Sequence, residues 1–254
     1  MARMIKYYDD VTDDFVTSAH QDIRIPDDYQ WEHSGWWWQA RRVVVTALAR
    51  VAGWFILHVG WHVRWVNRAA LRNAGKGGYF LYANHTQPVG DPFLMLAAGQ
   101  SRGFAAVVSG ANLGIPFLGR ILPWVGALPI PEGMHGLARF NHAVRTQIDA
   151  DRYVAIFPEA HVWPYYTGIR PFSAAAFHYP VATQAPVYTM TVTYQHRRWG
   201  RHPRMTVFID GPLRPNVTLS RKQQQVQLAD MVARQMRQRS AESTYTYITY
   251  QRRD

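Results

Sequence analysis

The stretch GYFLYANHTQPVGDPFLMLAA, residues 78–98, predicts a buried strand, a short polar loop and the start of a helix. Residues 78–83 form an uninterrupted apolar run, which is typical of a strand covered on both faces. Pro92 favours a helix that begins there, with Asp91 as its N-cap. His85 and Asp91 lie at the two ends of the loop. They either form a catalytic pair or only stabilise the turn between the strand and the helix.

The chain outward from this stretch alternates between predicted strands and helices. Further strands are predicted at 103–108, 125–131, 153–158, 186–194 and 205–211. Helices are predicted after Gly133 and after Ser220, where apolar residues recur at helical spacing. This alternation predicts an α/β fold with a largely parallel sheet flanked by helices. The segment 244–250 alternates like a strand, but the sequence assigns it no role.

The chain divides into three parts by composition. Residues 1–35 form an acidic N-terminal arm in which little regular structure is expected. Residues 36–75 form a helical motif, and residues 76–254 form the α/β domain with its C-terminal helix. The linkers are too short to indicate a second globular domain.

The helical motif predicts contact with a membrane surface. Its longest apolar stretch runs from Val43 to Val63, but Arg50 lies near the middle, and a central arginine costs roughly 2.5–3.5 kcal/mol on insertion scales. Tryptophans and arginines cluster on both sides of this stretch, which favours a helix resting at the membrane–water boundary. A helix packed into the protein's own core and a true membrane span are the alternatives.

The charge distribution indicates partners that carry phosphate. The formal charge of the 254-residue chain is +11, although residues 1–32 hold eight acidic and three basic side chains. The basic residues are almost all arginines, which bind phosphate well. The chain has no cysteine, so thiolate zinc sites and cysteine nucleophiles are excluded. No secretory signal is visible, and we expect the protein at the cytoplasmic face of a membrane.

Polar residues of catalytic type follow two of the predicted strands. The first strand is followed by Asn84 and His85, and the strand at 153–158 is followed by Glu159 and His161. Ligands gather at the carboxyl ends of parallel strands, so these side chains and Asp91 are expected to face one crevice. A histidine takes a proton from a hydroxyl near neutral pH, and a carboxylate on its other ring nitrogen stabilises the resulting imidazolium.

Four sequence blocks in order resemble the glycerolipid acyltransferase family, typified by 1-acyl-glycerol-3-phosphate acyltransferases. The family's Asn-His-x-x-x-x-Asp corresponds to NHTQPVGD at 84–91, and its Gly-x-x-Phe-Ile-x-Arg corresponds to GALPIPEG at 126–133. Its Phe-Pro-Glu-Gly-Thr-Arg corresponds to FPEAHVWP at 157–164, and the fourth block corresponds to APVYTMTVTY at 185–194. The resemblance covers roughly residues 78–195 and agrees with the predicted fold and with a helical motif on the membrane.

The resemblance implies an enzyme that moves an acyl group from acyl-CoA or acyl carrier protein to a lipid hydroxyl. His85 and Asp91 would then be the catalytic pair, and an anionic membrane surface would be a partner. Lysophosphatidate is the default acceptor, giving phosphatidate in phospholipid biosynthesis. No cofactor beyond the acyl donor is expected. The residues implied in substrate binding are Asn84, Glu159, His161 and Arg170.

The sequence departs from the family pattern at two places. Five residues rather than four separate His85 from Asp91, so a loop must bring the pair together. The arginines of the second and third blocks, which clamp a glycerol phosphate in the family, are absent at the matching positions. Arg170 lies eleven residues after Glu159 and is a candidate substitute, with a solvated turn arginine as the alternative.

Other classes of function remain open at this point. The extra residue and the lost arginines also suit a non-catalytic lipid-binding protein or an enzyme with a non-phosphate acceptor. A metal-dependent hydrolase is another class. Its candidate metal ligands would be His85, Asp91, Glu159 and His161. The spacings of these residues match no standard ligand motif. Nucleic-acid binding is not expected, because the arginines are dispersed and no recognised module is visible.

Overall fold

The computed structural model describes residues 3–16, 23–99, 103–198, 200 and 202–253. The strands in these residues are β1 (Arg3–Tyr7), β2 (Arg64–Val66), β3 (Tyr79–Ala83), β4 (Phe104–Val108), β5 (Ala127–Pro129), β6 (Tyr153–Ile156), β7 (Val187–Gln195), β8 (Arg204–Leu213) and β9 (Ile248–Arg252). The α-helices are α1 (Trp36–Trp54), α2 (Ala69–Arg72), α3 (Gly90–Ala98), α4 (Leu118–Val125), α5 (Met134–Asp149), α6 (His178–Thr183) and α7 (Arg221–Ser240). A π-helical turn at Phe55–Gly60 continues α1.

Seven strands form one sheet in the order β2-β8-β7-β3-β6-β4-β5. All neighbours in it are parallel except β7 and β8, which pair antiparallel. The predicted α/β fold with a largely parallel sheet and flanking helices is therefore confirmed. Every residue of β3 is buried, as its uninterrupted apolar sequence requires for a central strand covered on both faces.

The two faces of the sheet support separate parts of the core. Successive side chains of a strand point to opposite faces. Tyr79 and Leu81 of β3 thus belong to a cluster with α3, whereas Phe80 and Tyr82 belong to a cluster with α5 and α7. The central strands are consequently held from both sides, and the loops at their carboxyl ends start from fixed positions.

The predicted helix boundaries hold at α7 and shift at α3. Ser220 caps α7 through a capping box in which its hydroxyl accepts from the amide of Gln223 and the Gln223 side chain accepts from the amide of Ser220. Helix α3 begins at Gly90 rather than at Pro92. Asp91 consequently lies inside the first turn and is not the N-cap, so its carboxylate is available to the preceding loop.

The helical motif is shorter than the sequence indicates. The helix ends with the π-turn at Gly60, and Arg64–Val66 then form strand β2 beside β8. The sequence of Arg64–Val66, with its aromatic and β-branched residues, is compatible with a helix or with a strand. Pairing with β8 makes it a strand. The helix from Trp36 to Gly60 is long and apolar enough to cross a membrane, and only 11% of its most apolar window is buried. Packing into the protein's own core is therefore excluded for most of this segment.

The acidic arm contains regular structure that was not expected. Strand β1 pairs in parallel with β9, so Arg3 lies beside Ile248 and Tyr7 beside Arg252. This two-stranded sheet gives residues 248–250 of the alternating segment their role. The pairing joins residues from opposite parts of the sequence, and nothing local in either strand reveals the other.

Candidate active site

His85 and Asp91 are in direct contact. The His85 Nδ1 atom lies 2.7 Å from Oδ2 of Asp91, whose side chain is completely buried. The His85 side chain keeps 17% of its surface exposed. An ionised carboxylate only accepts hydrogen bonds, so Nδ1 carries the proton and Nε2 is left with its lone pair. The imidazole is thus in the tautomer that a general base needs.

The loop between the two residues is wrapped around the Asp91 carboxylate. The same oxygen, Oδ2, accepts hydrogen bonds from the backbone amides of Thr86 and Gln87, each at 2.9 Å. The Asp91 amide in turn donates to the carbonyl of Gln87 at 3.1 Å. The chain therefore turns back on itself at once, and the five intervening residues bring the pair together despite their spacing.

Two aromatic side chains fix the walls of this loop. The His85 ring stacks on Phe157 at 4.0 Å between centroids, with an angle of 16° between the planes. Gly90 lies against the ring of Trp61, and a Cβ built at Gly90 would be 2.4 Å from a ring carbon. The glycine is required because any side chain there would displace the indole or open the turn.

The buried Tyr194 side chain of the neighbouring strand β7 holds the loop between His85 and Asp91 through hydrogen bonds. The Tyr194 hydroxyl lies 2.7 Å from Thr86 Oγ1 and accepts from the Gln87 side-chain amide at 2.9 Å. Sequence reasoning missed this network, as it missed the stacking of Phe157. Tyr194 is the last residue of the fourth sequence block, and that place in the block is the signal by which the sequence could have revealed it.

Glu159 reaches the same site from β6, the strand beside β3. Its buried carboxylate lies 3.5 Å from the His85 amide and accepts from the Arg170 amide at 3.3 Å. Burial raises the pKa of Glu159 to about 7, and the charge of Arg170 and the two amide hydrogen bonds oppose this increase. Glu159 thus ties the loop after β6 to the loop after β3 and does not reach an open surface.

Arg170 differs from the expected phosphate ligand. Its side chain is completely buried, and Nε lies 3.4 Å from the Glu159 carboxylate. The guanidinium also donates to the carbonyls of Glu159, His161 and Asp10, and burial lowers its pKa. Because Nη1 and Nη2 donate to these carbonyls and Nε faces the Glu159 carboxylate, Arg170 holds the 159–170 loop and offers no open fork to a ligand.

Asn84 and His161 occupy different environments. Asn84 is buried, and its side-chain amide accepts from the amide of Val192 at 2.8 Å and donates to the same residue's carbonyl at 3.0 Å. It therefore joins β3 to β7, and no part of its side chain is presented to a substrate. His161 is partly exposed, and its Nδ1 lies 3.3 Å from Asp14 of the N-terminal arm.

The described residues contain no group of three or more His, Asp and Glu side chains placed to hold a metal ion. His85 and Asp91 form one pair, and His161 forms another with Asp14. The four side chains considered as metal ligands in the sequence therefore do not converge. The arrangement at the sheet edge is that of a proton acceptor with a carboxylate behind it.

An acyltransferase family model matches residues 44–193, which is more than half of the chain. The chain therefore belongs to the acyltransferase family, as the resemblance of its four blocks predicts. The solved structure of the 1-acyl-sn-glycerophosphate (LPA) acyltransferase PlsC from Thermotoga maritima is similar in fold. Its TM-score is 0.55 at 16% sequence identity, covering 82% of this chain and 84% of that one. No sequence among curated proteins matches the chain.

Proposed function

We propose that this acyltransferase moves an acyl group from the thioester of acyl-CoA or acyl carrier protein to a hydroxyl of a lipid acceptor. The observation that carries the proposal is the 2.7 Å contact between His85 Nδ1 and the buried Asp91 carboxylate. That contact leaves Nε2 of a partly exposed imidazole free to accept a proton. The family membership supplies the reaction class.

The reaction begins when His85 Nε2 takes the proton from the acceptor hydroxyl. The hydroxyl oxygen attacks the thioester carbonyl carbon, and the charge of the imidazolium is stabilised by Asp91. The tetrahedral intermediate then breaks its carbon–sulfur bond, and the imidazolium returns the proton to the departing thiolate. The products are an ester and a free thiol, and His85 is regenerated.

The acceptor is proposed to reach this site from a membrane surface. Helix α1 packs on the domain along one side, where Thr46 bonds the carbonyl of Trp124 and Gly53 lies against Phe93. Its other side exposes a row of large apolar side chains. These are Val43, Val44, Leu48, Val51, Trp54, Phe55 and Val59. A helix that lies along the domain in this way is suited to rest on an anionic membrane, and we propose the cytoplasmic face.

Lysophosphatidate is the default acceptor that we propose, and it would give phosphatidate for phospholipid synthesis. His161, which follows β6 and has 38% of its side chain exposed, is the proposed contact for the acceptor. Asn84, Glu159 and Arg170 are proposed as positioning residues, because their side chains are buried and bonded within the protein. A lipid alcohol without phosphate is the second candidate acceptor, because Arg170 is committed to the 159–170 loop.

His85→Ala tests the proposal. We expect acyl transfer to lysophosphatidate, from a labelled acyl donor, to fall by roughly 10²–10⁴-fold, as for the loss of a general base. The matched control is His135→Ala, which removes an exposed histidine on α5. Both variants should keep the wild-type melting temperature and vesicle binding. Full turnover in His85→Ala would refute the assignment, and a screen of other lipid alcohols identifies the acceptor.

A further inference from the structure

A cavity lies at the edge of the sheet opposite the catalytic pair. It has a volume of about 500 Å³ and is lined where β5 begins, at Gly126 and Ala127, and just before β6, at Arg152. His85 follows the carboxyl end of β3, and all these strands are parallel. The cavity is therefore separated from the reaction site by the length of the strands. A volume of this size is typical of sites for small ligands.

Two arginines line this cavity without a carboxylate partner. Arg42 of α1 donates to the carbonyl of Phe104 at a long 3.4 Å, and Arg152 donates to the side chain of Gln147 at 3.0 Å. Neither forms an ion pair with a carboxylate among the described residues. Burial and the charge of Arg152 lower the pKa of Arg42 to about 10. The two guanidinium groups therefore repel each other, although the fold places both in the wall of one cavity.

The remaining ionisable groups of the wall do not neutralise this charge. Glu32 is exposed in the wall, and its carboxylate lies 4.0 Å from His142 and forms no ion pair with either arginine. The His33 ring lies against Trp38, with 3.6 Å between ring centroids, and burial lowers the pKa of His33. Tyr29 is also in the wall, and burial raises its pKa, so it is neutral near pH 7. The cavity therefore carries excess positive charge.

We propose that this cavity binds a phosphate group through Arg42 and Arg152. The planar fork of a guanidinium matches phosphate oxygens, and an anion between the two groups replaces their repulsion by attraction. Thr146 lines the same space and adds a hydroxyl group that can donate to a phosphate oxygen. The site goes beyond the proposed acyl transfer, since it shares no residue with the His85 site.

A lipid headgroup and a free phosphate ester offer the same chemistry. The position of the cavity favours the lipid, because Arg42 and Trp38 belong to α1, whose exposed apolar face is proposed to touch the membrane. Trp36 and Trp37 at the start of that helix are also exposed. A headgroup held there would fix the depth and orientation of the enzyme on its membrane.

The experiment compares Arg42→Gln and Arg152→Gln with Arg41→Gln in the full chain. Arg41 neighbours Arg42 on α1, is exposed and lies outside the cavity lining, so it controls for the loss of one positive charge. One arm measures sedimentation with vesicles of phosphatidylcholine, with and without phosphatidylglycerol. The other arm measures the rise in melting temperature on titration with inorganic phosphate. Activity in detergent micelles reports whether each variant is folded.

We expect Arg42→Gln and Arg152→Gln to weaken binding by about tenfold in at least one arm, and Arg41→Gln by less than about twofold. A loss confined to phosphatidylglycerol vesicles identifies the lipid, and a loss confined to inorganic phosphate identifies a free ester. Equal losses in all three variants would refute the site, as would unchanged binding in both cavity variants. If Arg42→Gln is inactive in micelles and therefore misfolded, Arg42→Lys replaces it in the comparison. Arg42→Lys keeps the positive charge but lacks the planar fork, so we expect it to lose phosphate affinity as well.

Discussion

At the scale of single residues, the Asp91 carboxylate organises the catalytic loop. One oxygen accepts from the His85 ring and from two successive backbone amides, so it fixes the ring and the chain that carries it. The family resemblance predicted both residues, but the extra residue between them left their contact open. The contact depends on where the chain turns, which is decided by hydrogen bonds to one atom rather than by residue spacing.

The buried residues around the pair were harder to predict. Glu159 and Asn84 belong to family blocks, which suggested substrate contact, yet both side chains are bonded within the protein. Sequence blocks report that a residue matters at the site and do not distinguish a residue that touches substrate from one that positions another. Burial makes that distinction, and burial depends on the neighbouring strand and on the 159–170 loop.

Glu159→Gln tests the raised pKa of this carboxyl group. An unfolded glutamate has a pKa of about 4.3, and burial raises the pKa of folded Glu159 to about 7. The folded chain therefore holds this proton more tightly, so its contribution to stability is complete below about pH 4.3 and is lost as the pH rises towards 7. This change is on the order of 3 kcal/mol. Wild-type stability relative to Glu159→Gln should accordingly fall between about pH 4 and pH 7.

Denaturant unfolding of the wild type and Glu159→Gln at a series of pH values measures the difference between their free energies of unfolding. The contributions of the other titrating groups are common to both proteins and cancel in this difference. Glu132→Gln is the matched control, because the Glu132 side chain is 62% exposed beside Arg24. Its stability difference from the wild type should stay nearly constant over the same range. A constant difference for Glu159→Gln as well would contradict the raised pKa.

At the scale of elements, α1 is the helix that the sequence predicts, but it ends earlier than expected. The tryptophans and the apolar run predicted an interfacial helix, and the structure leaves one side of that helix exposed. The sequence placed the helical motif as far as residue 75. The true end at Gly60 depends on β8, whose edge offers hydrogen bonds to Arg64–Val66 that no local pattern reveals.

Val44→Asp tests whether the exposed side of α1 meets the membrane. Val44 is 57% exposed, so the substitution removes apolar surface and adds a charge without disturbing the core. We expect vesicle binding to weaken by about tenfold or more, since burying such a side chain contributes roughly 1.5–3 kcal/mol. Sedimentation with anionic vesicles measures the effect.

The matched control is Val217→Asp, which makes the same change at a 73% exposed valine in the loop before α7. It should bind vesicles within about twofold of the wild type, apart from the small effect of one added charge. Equal losses in the two variants would show that charge alone is responsible. That result would remove α1 as the membrane contact.

At the scale of the whole molecule, β1 and β9 together cover the loop that carries Glu159 and Arg170. Trp163 lies between their aromatic side chains, with ring centroids 4.7 Å from Tyr7 and 4.8 Å from Tyr250. Its indole nitrogen donates to the carbonyl of Asp13. The loop is also bonded to the catalytic turn, because the Trp163 amide donates to the His85 carbonyl at 3.0 Å. The arm and the last strand thus support the active site from outside the sheet.

This support predicts that removing either strand has nearly the same effect as removing both. Each strand has the other as its only partner in the two-stranded sheet of the described residues, so deleting residues 1–16 or residues 246–254 leaves the other strand unpaired. Contacts that depend on each other give non-additive losses on removal. We expect the double truncation to lower the melting temperature and the acyl transfer rate little beyond the larger of the two single losses.

Deletion of residues 1–3 alone is the control, because it removes terminal charge and leaves most of β1 in place. Thermal melting and acyl transfer are measured on all four shortened chains. Losses that add in the double truncation would show that the two strands support the fold independently. Unchanged acyl transfer in every truncation would show that the 159–170 loop keeps its position without them, and the catalytic turn would then rest on Asp91 and Tyr194 alone.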